Sequence, residues 1–199
     1  MIVCFAGTIF EESDLPISGN GKTCSMTGVS YLDHIIKNKT IWSNYQTDFS
    51  EQVMYLQEMI DIIGDEPHEN LILVISEMQK ILNSIGAKGK QVLFIEKFVS
   101  QIRKLKIDLY YDTQRFRNIH LRLRTFTDVI YIPQKKHFDG SICLNNLCKA
   151  PHKIELYAYK PSRLKPVVTF DAAKVGRHYN TDEVIYDTLN LITKSEDED

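Results

Sequence analysis

The sequence predicts an α/β protein with a doubly wound, mainly parallel sheet, helices on both faces and a C-terminal antiparallel β-hairpin addition. Short apolar segments alternate with amphipathic helical segments over residues 1–133. The run Leu71–Ile75 is apolar at every position, as in a parallel strand that is covered on both faces of its sheet. After residue 133 the alternation gives way to patterns typical of hairpin strands.

The size of the chain fits one domain. It has 199 residues, 43% of them hydrophobic and 25% charged, with a formal net charge of −2. We predict a single domain over residues 1–193, made of a core (1–133) and a hairpin with a closing helix (134–193), and an acidic tail at 194–199. The sequence has no signal-peptide pattern and no apolar run of roughly 18 residues that would span a bilayer. We therefore expect a cytoplasmic location, in the host cytoplasm if the gene is viral.

Hydrophobic periodicity and turn residues define the predicted elements of the first half. Short β-prone apolar runs predict strands, and apolar residues at helical spacing predict helices. Ser50 is predicted as an N-cap because its hydroxyl can accept a hydrogen bond from the first turn of a helix. The predicted order is a strand at 2–6, a polar turn-rich stretch at 7–21, a helix at 22–37, a strand at 40–45 and a helix at 50–62.

The second half begins with a loop at 65–70 and the strand Leu71–Ile75. Two helices, at 77–85 and about 92–104, follow it. The remaining predicted elements are a strand at 107–111, a helical turn or two at 116–123, a strand at 129–132, antiparallel strands within 137–159 and 166–170, and a closing helix at 181–192.

A glycine-rich loop precedes the first predicted helix. The residues Gly19-Asn20-Gly21-Lys22-Thr23 fit the pattern GxxxxGK[ST], except that Pro16 replaces its first glycine. In this pattern backbone N–H groups surround phosphate oxygens, the lysine reaches the β- and γ-phosphates and the hydroxyl binds Mg²⁺. The alternative is a surface turn before a helix. We predict an ATP phosphate site formed by Ser18, Gly19, Asn20, Gly21, Lys22, Thr23 and Cys24.

A second motif follows the strand Leu71–Ile75. P-loop ATPases use an acidic residue after such a strand to hold Mg²⁺, often followed by a glutamate that polarises water. Here these positions are Ser76 and Glu77. We predict Glu77 as the general base, and Ser76 and Thr23 as partners of Mg²⁺. In the structural alternative, Ser76 is a helix N-cap and Glu77 a first-turn charge.

Polar and basic residues follow the next predicted strand. Gln114 comes after a strand expected to lie beside the P-loop strand, so we predict that it senses the γ-phosphate. One of the arginines that follow, with Arg122 and Arg124 as candidates, is predicted to act in trans and to stabilise charge during phosphoryl transfer. The basic composition of residues 97–124 leaves open a solvated face or phosphate contacts to DNA.

These motifs resemble those of the HerA/FtsK group of P-loop ATPases, nearest to its zonula-occludens-toxin-like and archaeal-virus packaging branch. The resemblance covers about residues 1–133 and is carried by Gly19-Asn20-Gly21-Lys22-Thr23, by residues 71–77 with Gln79, by Thr113-Gln114-Arg115 and by residues 41–45. It implies a RecA-like sheet with a central P-loop strand, Mg²⁺-dependent ATP hydrolysis, and assembly as a ring that moves DNA. Pro16 and Ser76 depart from the family pattern.

Cysteine and histidine residues cluster between positions 137 and 152. Such residues at short spacings form tetrahedral Zn²⁺ sites, which makes His137, Cys143, Cys148 and His152 candidate ligands. If Asn145-Asn146 is a two-residue hairpin turn, the two cysteines face each other and a disulfide becomes an alternative, although disulfides are rare in a reducing cytosol. Two unlinked thiols are the third interpretation.

The leading hypothesis is an ATP-hydrolysing motor subunit, encoded by an archaeal virus or a plasmid. It would act on double-stranded DNA as a homo-oligomeric ring, in viral genome packaging or DNA transfer. Because Ser76 lacks the charge that helps hold the metal, the alternative is an assembly or switch protein that hydrolyses ATP slowly or not at all. A third interpretation is a small-molecule kinase, in which the arginines bind a substrate phosphate.

Overall fold

A computed structural model of the chain describes residues 1–9, 21–64, 67–82, 90–145, 148–159 and 166–180. A short 3₁₀ helix (Phe116–Asn118) follows the fifth strand. The strands and α-helices of these residues are, in chain order, β1 (Ile2–Thr8), α1 (Lys22–Lys37), β2 (Thr40–Ser43), β3 (Gln52–Val53), α2 (Leu56–Ile63), β4 (Leu71–Ile75), α3 (Met78–Ile81), α4 (Lys90–Lys104), β5 (Asp108–Arg115), α5 (Leu121–Phe126), β6 (Val129–His137), β7 (His152–Ala158), β8 (Val168–Asp171) and α6 (Ala172–Val175).

These strands form one sheet of eight, in the order β3-β2-β4-β5-β1-β6-β7-β8. The neighbours from β3 to β6 are parallel, whereas β6, β7 and β8 pair antiparallel. β1 lies inside the sheet between β5 and β6, and β5 separates it from β4. The predicted mainly parallel sheet with an antiparallel addition is confirmed, as is the interior position of β1, the strand that precedes the predicted phosphate loop (residues 19–23).

Helices cover both faces of the sheet because strand side chains alternate between two apolar clusters. Leu71, Leu73 and Ile75 of β4 pack in one cluster with residues of α2 and α4. Ile72 and Val74 pack on the opposite face with residues of α1 and α6. β4 is therefore buried on both sides, as its continuous apolar sequence predicts. None of the helices in the described ranges is long and apolar enough to cross a membrane.

The helix predicted at 50–62 is wrong in its start and its cap. The short strand β3 lies within that range, and α2 begins later, with Tyr55 as its N-cap. The Ser50 hydroxyl contacts two other hydroxyls, at 2.8 Å from Ser43 Oγ and 2.5 Å from Thr47 Oγ1. Ser50 thus stabilises the segment that joins β2 to β3, and it does not begin a helix.

β5 continues beyond its predicted end at residue 111. It does so because it pairs with the whole length of β1, as far as the pair Thr8 and Arg115. Asp112, Thr113 and Gln114 consequently lie within β5, although the sequence predicts that they follow the strand. This extension brings polar side chains of β5 to the carboxyl edge of the sheet.

β6 and β7 form the C-terminal hairpin, whose ladder runs as far as the pair His137 and His152. The chain between them leaves the ladder and folds back on β6, where Cys143 N donates to Lys135 O over 2.9 Å. Cys143 and Cys148 both lie outside the strands, so the cross-strand cysteine pair expected from a two-residue turn is not formed. Asn146, the closing helix predicted at 181–192 and the acidic tail lie outside the described residues.

Candidate nucleotide site

The described part of the phosphate loop lies where α1 begins. Gly21 is the N-cap of α1 with a φ of 90°, and its carbonyl accepts from Ser25 N over 2.8 Å. A Cβ at Gly21 would lie 2.5 Å from Ile154 Cδ1 of β7. The position therefore requires glycine for its left-handed backbone and for the close approach of β7. The predicted site residues Ser18, Gly19 and Asn20 lie outside the described residues.

Lys22 follows at the first turn of α1 and is only 7% exposed. Burial lowers the pKa of its ammonium group, and the negative charges of Asp112 and Glu77 oppose that shift. A cation at the positive end of a helix dipole makes a favourable site for an anion. Cys24 packs in the apolar cluster on this face of the sheet, and burial raises the pKa of its thiol to about 11.

Asp112 lies at the centre of the site, although the sequence prediction gives it no role. Its carboxylate is fully buried and accepts hydrogen bonds from Thr23 Oγ1 over 2.6 Å, from Ser76 Oγ over 3.1 Å and from Glu77 N over 2.6 Å. The donors belong to α1 and to the segment after β4, whereas Asp112 belongs to β5. One carboxylate therefore connects three elements of the sheet edge.

The hydrogen-bond donors around Asp112 favour its ionised form, whereas its burial favours the protonated form. Burial raises the pKa of Asp112, and the hydrogen bonds from Thr23, Glu77 and Ser76, together with the charge of Lys22, oppose that shift. The two hydroxyls and the N–H group all donate, which suits an ionised carboxylate because it only accepts. Carboxylate and hydroxyl oxygens are hard ligands of the kind that Mg²⁺ binds. Thr23, Ser76 and Asp112 therefore fit that ion.

Ser76 occupies the position at which the motif places the acid, and it donates to the acid of the neighbouring strand. Asn44, a fully buried residue after β2, fixes its backbone. Asn44 Nδ2 donates to Ser76 O over 3.0 Å, and Ser76 N donates to Asn44 Oδ1 over 2.8 Å. The alternative that Ser76 is a helix N-cap is wrong, because α3 begins with Glu77 as its N-cap residue.

Glu77 adopts a left-handed backbone, with φ 56° and ψ 41°. For a residue other than glycine this conformation is uncommon and costs about 1–3 kcal/mol. The turn directs the Glu77 N–H towards Asp112. Burial, followed by the charge of Asp112, raises the pKa of the Glu77 carboxyl, while Lys80, Lys22 and Gln79 oppose the shift. A raised pKa suits the predicted role of general base.

Gln114 reaches the site through Gln79. Gln114 is exposed, and its backbone N–H donates to Gln79 Oε1 over 3.4 Å. The Gln79 side-chain amide in turn donates to the Glu77 carboxylate. The predicted sensor therefore lies near the predicted base, at the ends of two adjacent strands.

The two candidate arginines lie on α5, which packs against α4. Arg122 Nε forms an ion pair with Glu96 Oε1 over 3.1 Å. The Nε atom of Arg124 is buried and has no hydrogen-bond partner among the described residues. The helix also adjoins α3, because the backbone N–H of His120, the N-cap of α5, donates to Leu82 O over 3.1 Å. The role in trans stays a prediction.

The sequence prediction omits Asp112 and Asn44. Each follows an apolar strand segment, and the carboxyl ends of parallel strands meet at one edge of the sheet. A single acid directly after Leu109-Tyr110-Tyr111 is a signal that identifies Asp112 once β5 is assigned as the neighbour of β1. The signal for Asn44 is weaker, because a buried asparagine after a strand has many structural uses.

The predicted cysteine and histidine ligands form a second group, at the end of the β6–β7 hairpin. The ligand atoms of His137, Cys143, Cys148 and His152 all lie within 4.8 Å of one another. All four cysteines of the chain are free thiols, so the structure contains no disulfide.

No protein-family profile and no curated protein sequence matches this chain. Among solved structures, it is similar to the N-terminal domain of zonular occludens toxin from Neisseria meningitidis, with 15% identity and a TM-score of 0.47 over 94% of this chain and 95% of that one. It is also similar to the genome packaging NTPase B204 from Sulfolobus turreted icosahedral virus 2 in complex with ATP-gammaS, with 12% identity and a TM-score of 0.44 over 81% of this chain and 98% of that one. A third similarity is to the pCW3 conjugation coupling protein TcpA with ATPgS, with 13% identity and a TM-score of 0.48 over 98% of this chain and 64% of that one.

The toxin domain and the viral packaging NTPase are of the kinds that the sequence motifs resemble. At identities of 12–15% and TM-scores below 0.5, these similarities do not establish a function for this chain. The function has to be derived from the residues of the site in this chain.

Proposed function

We propose that this chain is a P-loop ATPase that binds ATP with Mg²⁺, hydrolyses it and moves double-stranded DNA as one subunit of a homo-oligomeric ring. The main supporting observation is the 2.6 Å hydrogen bond from Thr23 Oγ1 to the buried Asp112 carboxylate, beside the buried Lys22 at the start of α1. A hydroxyl, an acid and a lysine at the amino end of a helix are the groups needed to bind a triphosphate with its metal ion.

Thr23 and Asp112, supported by Ser76, are the residues that would hold Mg²⁺. When bound, this ion would neutralise charge on the phosphates during phosphoryl transfer. Asp112 supplies the negative charge that Ser76 lacks, from β5 where the family motif would use β4. The absence of an acid at Ser76 is therefore a weaker reason to expect a slow switch protein than the sequence suggests.

Glu77 is the proposed general base for hydrolysis. It accepts a proton from water as the water oxygen bonds to the γ-phosphorus and the bond to the β–γ bridging oxygen breaks, which yields ADP and phosphate. Lys22 binds the β- and γ-phosphates. Gln114, which is linked to Glu77 through Gln79, senses the γ-phosphate.

The DNA and ring parts of the proposal rest on the motif resemblance and on exposed basic residues. Lys97, Arg103 and Lys104 of α4 are exposed, and positive side chains bind DNA phosphates without regard to base sequence. Arg122 or Arg124 would complete the site of a neighbouring subunit. We further propose that the protein acts in the cytoplasm, where ATP is available.

The phosphate site is tested by Lys22→Ala, with ATP affinity measured by calorimetry in the presence of Mg²⁺. We expect a loss of at least about 100-fold, because each charge-assisted hydrogen bond to a phosphate contributes about 1.5–3 kcal/mol and the ammonium group can form more than one. Lys37→Ala is the matched control, because Lys37 is an exposed lysine at the other end of the same helix. Unchanged ATP binding in Lys22→Ala, with the control also unchanged, contradicts the proposal.

Steady-state ATPase assays with and without double-stranded DNA, combined with sizing in ATP, distinguish the alternatives. DNA-stimulated turnover by a ring supports the motor. Tight ATP binding without turnover supports the assembly or switch protein. Phosphate transfer to a small acceptor by a monomer supports the kinase.

A further inference from the structure

The end of the β6–β7 hairpin brings together the side chains that bind transition metals. His137 and His152 are directly opposed at the last pair of the ladder, and their ring centroids are 4.6 Å apart. Cys143 and Cys148 lie in the segment between the two strands. Two strand ends and one connecting segment thus contribute all four residues to one place, distant in sequence from the phosphate loop.

The separation of the four ligand atoms is close to that of a tetrahedral metal site. Zn²⁺ binds cysteine sulfur at about 2.3 Å and histidine nitrogen at about 2.0–2.1 Å, which puts neighbouring ligand atoms about 3.3–3.8 Å apart in a tetrahedron. Here all four atoms lie within 4.8 Å of one another. Side-chain rotations that shorten these distances by about 1 Å would complete the geometry.

His152 provides a second, independent observation. It is only 6% exposed, and its Nε2 atom has no hydrogen-bond partner among the described residues. Buried polar atoms without a partner are rare in folded proteins and require an explanation. A bound metal ion would satisfy this nitrogen without a further protein group.

The charge of the four residues favours Zn²⁺ over other ions. Two cysteine thiolates and two neutral imidazoles bind Zn²⁺ with no net charge, in the Cys₂His₂ set of structural zinc sites. Magnesium and calcium prefer oxygen ligands.

We propose that His137, Cys143, Cys148 and His152 bind one structural Zn²⁺ ion that fixes the end of the β6–β7 hairpin. Four protein ligands leave no open position, as in structural rather than catalytic zinc sites. The ion would connect β7 to the segment after β6. Because Ile154, two residues after His152, contacts Gly21, the same strand also packs against the phosphate loop.

The test is the metal content of the full-length chain, produced with zinc and purified under reducing conditions without chelator. We expect about one zinc ion per chain. When cobalt replaces zinc, the chain should show the visible absorption of a tetrahedral site with sulfur and nitrogen ligands. Cys148→Ser and His137→Gln should each lose at least about 100-fold in zinc affinity, because the loss of a mere outer-shell partner already costs 10- to 100-fold.

Two variants outside the cluster serve as controls and should retain zinc. His34→Gln alters a histidine of α1, and Asp112→Asn alters the phosphate site, so retention in both excludes zinc bound at either place. If the ligand variants do not fold, the wild-type chain decides: chelation should lower its melting temperature and zinc should restore it. A folded, reduced chain without zinc, a Cys143–Cys148 disulfide, or zinc retained by both ligand variants would each overturn the proposal.

Discussion

The carboxyl ends of β4 and β5 lie side by side at one edge of the sheet, and they contribute opposite chemistry. β4 ends in Ser76, whose hydroxyl donates, and β5 contains Asp112, whose carboxylate accepts. Both residues are buried, at 1% and 0% exposure. The P-loop ATPase pattern places the acid after a strand such as β4, whereas in this chain the acid lies on β5 and a serine follows β4.

The comparison indicates that, at this edge of the sheet, either strand can place an oxygen atom in the same region. The Ser76 hydroxyl and the Asp112 carboxylate are 3.1 Å apart, so a carboxylate on either strand reaches the same region. The two residues differ in the contacts that hold their backbones in place. Asn44 fixes the backbone of Ser76 through two hydrogen bonds, whereas the backbone of Asp112 pairs in the sheet with Phe5 of β1.

Asp112→Asn is the substitution that tests this comparison most strongly. We expect kcat/KM for ATP to fall on the order of 10³-fold or more, because the charge that holds the metal is lost and metal ions supply several kcal/mol in such reactions. Ser76→Ala removes only one hydrogen bond to that carboxylate and should cost roughly 10-fold. Steady-state kinetics at several Mg²⁺ concentrations measure both. Equal losses, or a larger loss for Ser76→Ala, would show that the acid on β5 does not replace one on β4.

Stability gives an internal control for Asp112→Asn. Burial raises the pKa of Asp112 in the folded state above its value in the unfolded state. Asp112 therefore contributes to the free energy of unfolding below the unfolded-state pKa, and this contribution is lost as the pH rises through the folded-state pKa. Raising the pH towards neutral therefore lowers the contribution of Asp112 to the stability of the folded chain. The melting temperature of Asp112→Asn should equal or exceed that of the wild type near pH 7, so lost activity cannot come from unfolding.

Glu77→Gln tests the other residue that follows β4. We expect kcat to fall about 10²-fold, within the usual contribution of a general base, while the Kd for ATP stays within about threefold. Since the pKa of Glu77 is raised and the base acts when ionised, wild-type kcat should rise with pH through that pKa, and the variant should lack this rise. Glu51→Gln, at an exposed glutamate, is the control. A variant that keeps the pH dependence would assign the base to another residue.

The sequence predicts the elements best where one residue pattern decides them. The bounds of α1 agree with the prediction because the loop motif defines its start and Asn38, in a left-handed conformation, ends it. Leu71–Ile75 agrees because a short run that is apolar throughout is typical of a strand covered on both faces. The helix start near Ser50 is wrong because its hydroxyl has partners in Ser43 and Thr47 that no local pattern reveals.

The site is less predictable because its decisive contact is distant in sequence. Thr23 and Asp112 are 89 positions apart, and their proximity depends on β5 pairing with β1. The apolar run before Asp112 predicts a strand that ends at residue 111, so the prediction places the acid after the strand, whereas it lies within β5. The left-handed turn at Glu77 is equally hidden, since a glutamate rarely adopts it.

Gln114→Ala tests the finest part of the comparison, the link between the two strand ends. The substitution removes the side chain and keeps the backbone N–H that donates to Gln79 Oε1, so the ends of β4 and β5 remain connected. We expect kcat to fall about tenfold, because a sensor that forms one hydrogen bond in the transition state contributes about 1.4 kcal/mol. ATP affinity and Mg²⁺ dependence should not change, in contrast to Asp112→Asn. Gln134→Ala, on β6, is the control for a glutamine lost elsewhere in the sheet. If kcat is unchanged, Gln114 has no sensor role, and the contribution of β5 to the chemistry is limited to its acid.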